Sequence, residues 1–338
     1  SGGVLQGSST SLQGNVVNNA SVVFQQTGAG TYAGAMSGTG GLTLQGGGTL
    51  QMTGASSYAG PTTVTGSALV VNGSLASMVT LDGTSALGGS GSIGGLVSNG
   101  AMLAPGNSIG TLTVNGSFVQ NGGTYVVEAN AAGQSDRVNV TGTATLNGAT
   151  VQVLAASGSY GNSTTYTILN ATGGVNGTYA GVTSNFAFLT PSLRYNANDV
   201  FLTLALEGAA FSGFGGNTPN QRGVGAALDQ SYASATGDFA TVIGALAGLN
   251  TQQGPWALNQ ISGQPIANFG TANLAASMLF MNAVGQQMAV VREGVRGSAA
   301  AKGQRVALAE ACEIEACDGT GPLSAWMSAV GGLGSVQG

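Results

Sequence analysis

The feature that most restricts this chain is the brevity and regularity of its apolar alternation. From the N-terminus to about residue 206, polar and apolar residues alternate in blocks of three to five, and nearly every block stops at Gly or Asn-Gly. Examples are Leu42-Thr43-Leu44, Thr49-Leu50-Gln51-Met52-Thr53, Ala68-Leu69-Val70-Val71, Val79-Thr80-Leu81, Thr111-Leu112-Thr113-Val114, Tyr125-Val126-Val127 and Val138-Asn139-Val140. A period of two in Thr, Val and Leu marks half-buried strands, and glycine supplies the turns that need a positive φ. Asn-Gly usually signals a hairpin, so a sandwich or antiparallel barrel has to be weighed. Strands this short, repeated without helical crossovers, favour an all-β, right-handed parallel β-helix. A turn of such a helix takes roughly 20 residues, giving on the order of ten turns and a length near 50 Å at ~4.8 Å per strand.

Charge supports a stacked arrangement. Only Asp82, Glu128, Asp136, Arg137, Arg194 and Asp199 are charged before residue 207, and nine of the thirteen remaining charges fall between Arg292 and Asp318. In a stack, a charge repeated on each level would face its own sign every ~4.8 Å, whereas Thr, Ser, Asn and Gln can join in hydrogen-bonded ladders. The chain has 60 glycines, no histidine and Lys302 as its lone lysine. Without histidine there is no Ser-His-Asp or Cys-His nucleophile and no His-ligated metal. A net charge of −5 leaves no basic footprint for nucleic acid. The expectation is a non-enzyme with no cofactor, no metal, no nucleic-acid partner and no small-molecule substrate. The opening Ser1-Gly2-Gly3-Val4 carries no secretory leader, and no run of ~18 apolar residues spans a bilayer, so the chain reads as an internal piece of a longer protein.

Several blocks resemble a known family. Ser37-Gly38-Thr39-Gly40-Gly41-Leu42, Gly48-Thr49-Leu50, Thr53-Gly54, Tyr58-Ala59-Gly60-Pro61-Thr62-Thr63-Val64 and Leu69-Val70-Val71-Asn72-Gly73 resemble the autotransporter-associated β-strand repeat of bacterial type V autotransporters. Tyr32-Ala33-Gly34 is similar to a degraded earlier copy. Leu103-Ala104-Pro105-Gly106-Asn107-Ser108-Ile109-Gly110-Thr111-Leu112-Thr113-Val114, Ser135-Asp136-Arg137-Val138-Asn139-Val140-Thr141-Gly142, Tyr166-Thr167-Ile168-Leu169, Gly177-Thr178-Tyr179 and Leu193-Arg194-Tyr195 resemble the family's autochaperone cap. The aromatics Tyr160, Tyr166, Tyr179, Phe186, Phe188, Tyr195 and Phe201 suit a cap that covers the last level with bulky side chains.

Beyond the cap the period changes. Asp238 is placed to cap a helix carrying Phe239, Val242, Ile243, Leu246 and Leu249 on one face; Pro255 suits the first turn of another with Trp256 and Ile261; a longer one is expected from about Ala267 to Glu293, with Leu274, Met278, Met281 and Met288 as a core stripe. Thr218-Pro219-Asn220-Gln221-Arg222 and Leu258-Asn259-Gln260-Ile261-Ser262-Gly263 resemble the family's helical segment between passenger and translocator, and the stretch from Ala325 to Gly338 resembles the opening strand of its outer-membrane barrel. The resulting division is 1–134 for β-helix levels, 135–206 for the cap, 207–295 for a helical junction, 296–322 for a charged linker toward the barrel pore, and 323–338 for the first barrel strand.

Possible chemistry reduces to a few motifs. Gly106-Asn107-Ser108-Ile109-Gly110 spells a nucleophile elbow but lacks a histidine base and a strand-turn-helix setting, and reads as a turn. Gly89, Gly91 and Gly94 spell a dinucleotide fingerprint with no helix signal after it. Asp136 beside Arg137 reads as a surface ion pair or ladder end. Cys312 and Cys317 enclose four residues and form a candidate disulfide in an oxidising compartment, with free thiols as the alternative; a metal site or redox centre would want further ligands or a shorter spacing.

The resemblance implies a structural stalk and autochaperone of a self-exported surface protein. Its partners would be an outer-membrane β-barrel in cis and host or bacterial surface ligands, and its place the outer membrane or cell surface, or the extracellular space after release. The alternatives are an adhesin whose β-helix itself binds other cells, or the non-catalytic part of a secreted enzyme.

Overall fold

A computed structural model describes residues 2–292 of the chain. It is mostly β, with parallel sheets of many strands and a few C-terminal helices. The described residues divide into two units after Leu258.

Most strands of the first unit do not form hairpins. Each pairs in parallel with a strand about one repeat away, despite the Asn-Gly turns. In the fifteen-stranded sheet, Val4–Gly7 pairs with Ser21–Gln25, that with Gly41–Gln45, and that with Thr62–Val64; the order continues through Ser74–Leu81, Ser92–Asn99, Thr111–Val114, Arg137–Val140 and Ser163–Ala171. An eight-stranded sheet runs beside it in step, from Ala29–Tyr32 through Thr49–Met52, Ala68–Val71, Ala86–Gly89, Met102–Pro105, Thr124–Ala129 and Thr150–Ala155 to Gly181–Ser184. Val16–Val17 and Met36–Ser37 form a two-stranded third sheet.

The register stacks like on like. Leu50, Leu69, Leu87, Leu103, Tyr125 and Val151 are successive Cα partners, each buried. Phe24, Leu44, Val64 and Leu81 do the same in the larger sheet. Alternation along each short strand sends every second side chain into these columns, and one apolar cluster continues from Leu12 to Leu258. The repeat is uneven: it shortens from Leu50 through Leu69 and Leu87 to Leu103, and side-chain bonds between neighbouring strands show it lengthening beyond Asn99. Gln45 Nε2 donates to Gln25 Oε1 across 20 residues, Asn121 to Asn99 across 22, Asn147 to Asn121 across 26, and Ala155 N to Asn185 Oδ1 across 30.

Parallel pairing stops near residue 200. Asp199–Ala205 lies antiparallel to both Ser163–Ala171 and Thr190–Tyr195. Three helices follow within the first unit: α1 (Pro219–Ser231), α2 (Gly237–Ala247) and α3 (Gln253–Ile261), the last ending just past it. Thr218 and Gln221 form a reciprocal capping box on α1, in which Gln221 N donates to Thr218 Oγ1 at 3.3 Å and Thr218 N to Gln221 Oε1 at 2.6 Å. For α2 the cap is Thr236 rather than Asp238, which sits in the first turn, where a carboxylate suits the helix dipole. Ile243, Leu246 and Ala247 form its buried face, while Phe239 and Val242 are exposed. On α3, Leu258 is buried whereas Trp256 and Ile261 are exposed.

In the second unit, α4 spans Gln264–Arg292. The expected core stripe is absent from it: Leu274, Met278, Met281 and Met288 are all exposed. Periodicity located the helix but could not say what, if anything, covers it. The charged run after Arg292, Cys312, Cys317 and the stretch 323–338 lie outside the described residues.

Candidate functional site

None of the motifs read from the sequence assembles a reaction centre among the described residues. Ser108 of the elbow motif sits in a turn at φ 129°, the one non-glycine with positive φ among the described residues, and a strand, Thr111–Val114, follows it instead of a helix. The fingerprint glycines have a packing reason. A Cβ at Gly89, Gly91 or Gly94 would run into the carbonyl oxygens of Val71, Gly73 and Ala76 respectively, one repeat earlier in the chain. Close stacking of backbone on backbone selects glycine there, and the strand Ser92–Asn99 continues where a nucleotide site needs a helix.

Asp136 departs from the expected surface ion pair. It is buried, at 1% exposure, and its two carboxylate oxygens each accept one backbone amide, Gly110 N at 2.9 Å and Glu128 N at 2.9 Å. The carboxylate thus fastens the turn after Gly106 to the strand Thr124–Ala129. The neighbouring Arg137 does not neutralise it; its Nε is itself buried without a partner. Burial raises the Asp136 carboxyl from 3.8 to about 6, against the pull of the two amides, and the Glu128 charge adds to the rise. Sequence reasoning missed this because a carboxylate beside an arginine suggests pairing, whereas alternation in Arg137–Val140 together with the turn before it sets which of the two points inward.

The C-terminal end of the parallel sheets is the most elaborated region. Tyr160 and Phe186 meet edge to face at 4.8 Å between ring centres, while Phe188 and Phe211 at 4.9 Å and Tyr125 and Tyr179 at 5.9 Å are tilted pairs. Four hydroxyls are tied to backbone, and that of Tyr179 is buried without a partner: Tyr125 OH donates to Ile168 O at 2.6 Å, Tyr166 OH to Asn130 O at 2.8 Å and Tyr160 OH to Ala156 O at 2.8 Å, while Tyr195 OH accepts Tyr179 N at 3.1 Å. Burial pushes the Tyr166 phenol up to about 12 and those of Tyr125 and Tyr179 well above the usual range. Helix α2 joins this end through Tyr160 N, which donates to Gly244 O at 3.0 Å. Of the seven aromatics expected here, Tyr160, Tyr166, Tyr179, Phe186 and Phe188 are buried; Tyr195 and Phe201 are half-buried.

The outward side of the larger sheet carries a second pattern. Val23, Thr43, Thr63, Thr80, Val97, Val119 and Thr145 are successive register partners, none of them buried, and make one column of β-branched residues. Carboxamides flank it: Gln45 donates to Gln25 at 2.8 Å, Asn121 to Asn99 at 2.8 Å and Asn147 to Asn121 at 2.7 Å. No protein-family model and no curated protein matches the sequence.

Proposed function

We propose that the first unit is a right-handed parallel β-helix with an autochaperone-type cap, belonging to the C-terminal part of an autotransporter passenger. In this reading it is a stalk. It holds a more N-terminal effector or adhesive region away from the outer membrane, and folding outside the cell prevents the exported chain from sliding back. The observation that carries the reading is the stepwise parallel register, repeated through two sheets in step and then stopped by an antiparallel, aromatic-rich end. Stacked levels have no stable existence singly, so a closing element at one end is what such an array requires. About ten levels at ~4.8 Å give this unit a rise of about 50 Å. Protease treatment of intact cells producing the natural full-length protein tests the assignment. Digestion of this chain at the surface is expected, and protection inside the cell overturns it.

A second reading is favoured by the uncharged outward column of Val and Thr with its carboxamide borders, which suits contact with another cell surface. Binding of the isolated folded chain to cells, lost on Thr43→Lys, Thr63→Lys and Thr80→Lys substitution, would support an adhesin.

A further inference from the structure

Six Asn-Gly pairs lie in the described strands and turns: Asn72-Gly73, Asn99-Gly100, Asn115-Gly116, Asn121-Gly122, Asn147-Gly148 and Asn176-Gly177. A glycine after asparagine leaves the next backbone nitrogen unhindered for attack on the side-chain carbonyl carbon. In that reaction the glycine nitrogen bonds to Cγ, the carboxamide nitrogen leaves as ammonia with the proton that the glycine nitrogen gives up, and a succinimide closes. Water then opens the ring at either carbonyl to give aspartate or isoaspartate, so water enters and ammonia leaves. Two freedoms are needed: a glycine N–H not held in a hydrogen bond, and a carboxamide able to turn. The two reacting residues are the same at all six pairs, so differences in the folded chain come from the fold.

Four pairs have the glycine N–H engaged. Gly73 donates to Met52 O at 3.0 Å, Gly100 to Asn121 O at 2.8 Å, Gly122 to Asn147 O at 2.9 Å and Gly148 to Thr178 O at 3.4 Å. Their carboxamides are occupied as well. Asn99, Asn121 and Asn147 share a ladder, and Asn72 Oδ1 accepts Ser90 N at 3.1 Å and Asn107 Nδ2 at 2.8 Å. Asn176-Gly177 is exposed in the strand Val175–Thr178, which is in register with Ala144–Asn147 on one side, so it is the strand and not a carboxamide ladder that restrains it. Asn115 differs. It is exposed, in the turn between Thr111–Val114 and Phe118–Asn121. Its own N–H donates to Ile93 O at 2.7 Å and Gly116 O accepts Gly142 N at 3.0 Å, which fixes the backbone on both sides. Its carboxamide and the Gly116 N–H make no hydrogen bond.

We propose that Asn115 is a site of spontaneous deamidation in the folded protein, while the carboxamide ladder protects Asn99, Asn121 and Asn147. The product matters to the stack. Either acid places a negative charge in a stretch that has none between Asp82 and Glu128. The isoaspartyl form adds a backbone carbon where Gly116 already lies against the Gly94 carbonyl oxygen.

The test ages the folded full chain in mildly alkaline buffer and follows each Asn-Gly peptide by mass spectrometry, with a parallel sample in denaturant. Asn115 is expected to be lost about tenfold faster than the three ladder asparagines, the factor for breaking about one hydrogen bond. In denaturant the six pairs should converge to within about twofold once no such bond remains. Asn115→Gln should remove the fast component and leave the other peptides unchanged. Uniform loss in the folded chain, earlier loss at Asn176 or a ladder asparagine, or an Asn115 advantage that persists in denaturant would each overturn the proposal.

Discussion

Asp136 is a carboxylate whose proton affinity reports on the fold. Its carboxyl is raised from 3.8 to about 6 in the folded chain, so the folded state binds the proton more tightly than the unfolded one. The stability it contributes is therefore fully present below 3.8 and is lost as pH rises through about 6. Asp82 works in the opposite sense, its carboxyl held down chiefly by the Ser85 hydroxyl at 2.6 Å, so the useful measurement is a difference between proteins. Urea midpoints of wild type and Asp136→Asn are expected to separate with pH: between pH 4 and pH 6 the wild type should lose stability relative to the variant as pH rises. Asparagine turns an N–H toward one of the two amides that Asp136 accepts, so the variant should be less stable throughout; parallel curves would refute the assignment of the proton to Asp136. Gly94 makes a steric counterpart. A methyl there must displace the Ala76 carbonyl of the adjacent level, so Gly94→Ala should cost about 1–3 kcal/mol. At Gly181 a Cβ meets nothing, and the same substitution should be near neutral; equal effects would sink the backbone-contact explanation.

The strand column is the unit in which apolar burial becomes stability. Leu69 is fully buried between its partners Leu50 and Leu87, so Leu69→Ala leaves a cavity that neighbours on both sides cannot fill and should cost about 2–5 kcal/mol by urea denaturation. A loss under about 1 kcal/mol would mean the column relaxes far more readily than a close-packed interior does. The helix ends are cheaper: Thr218→Ala removes one side of a capping box and should cost about 1 kcal/mol. These elements also show what the sequence discloses. Strands such as Gly41–Gln45 and Thr111–Val114 were legible because period two survives in even three residues, and their glycines lie where backbones meet. Helix α4 was legible in extent but not in environment, since a stripe of methionines is the same whether it is covered or bare. The inward turn of Asp136 and the free N–H of Gly116 were not legible. Both depend on which carbonyl of a paired strand lies opposite, and that is set by an uneven spacing, shorter from Leu87 to Leu103 than the 20 residues from Gln25 to Gln45, and reaching 30 residues from Ala155 to Asn185.

At the scale of the molecule, the way the parallel sheets end near residue 200 has a kinetic consequence. They are crossed there by the antiparallel Asp199–Ala205 and packed with tyrosines and phenylalanines. Starting a stack costs more than extending it, because the first level orders its backbone without a neighbour to pair with. The antiparallel strands Thr190–Tyr195 and Asp199–Ala205 supply that first surface from residues close together in sequence, since closing short loops is entropically easier. The Tyr166 phenol of the adjoining Ser163–Ala171 ties it back to Asn130 O. Folding should therefore begin at this end and propagate toward residue 4. Tyr166 and Phe24 are both nearly fully buried, one at each end, which makes them a matched pair of probes. Tyr166→Ala should slow refolding by about tenfold or more with a small effect on unfolding, while Phe24→Ala should change refolding by less than about twofold and speed unfolding instead. Stopped-flow chevrons of the two variants distinguish the cases. If Phe24→Ala carries the slower refolding, propagation runs from the N-terminal strands, and the role proposed for the aromatic end in driving export loses its physical basis.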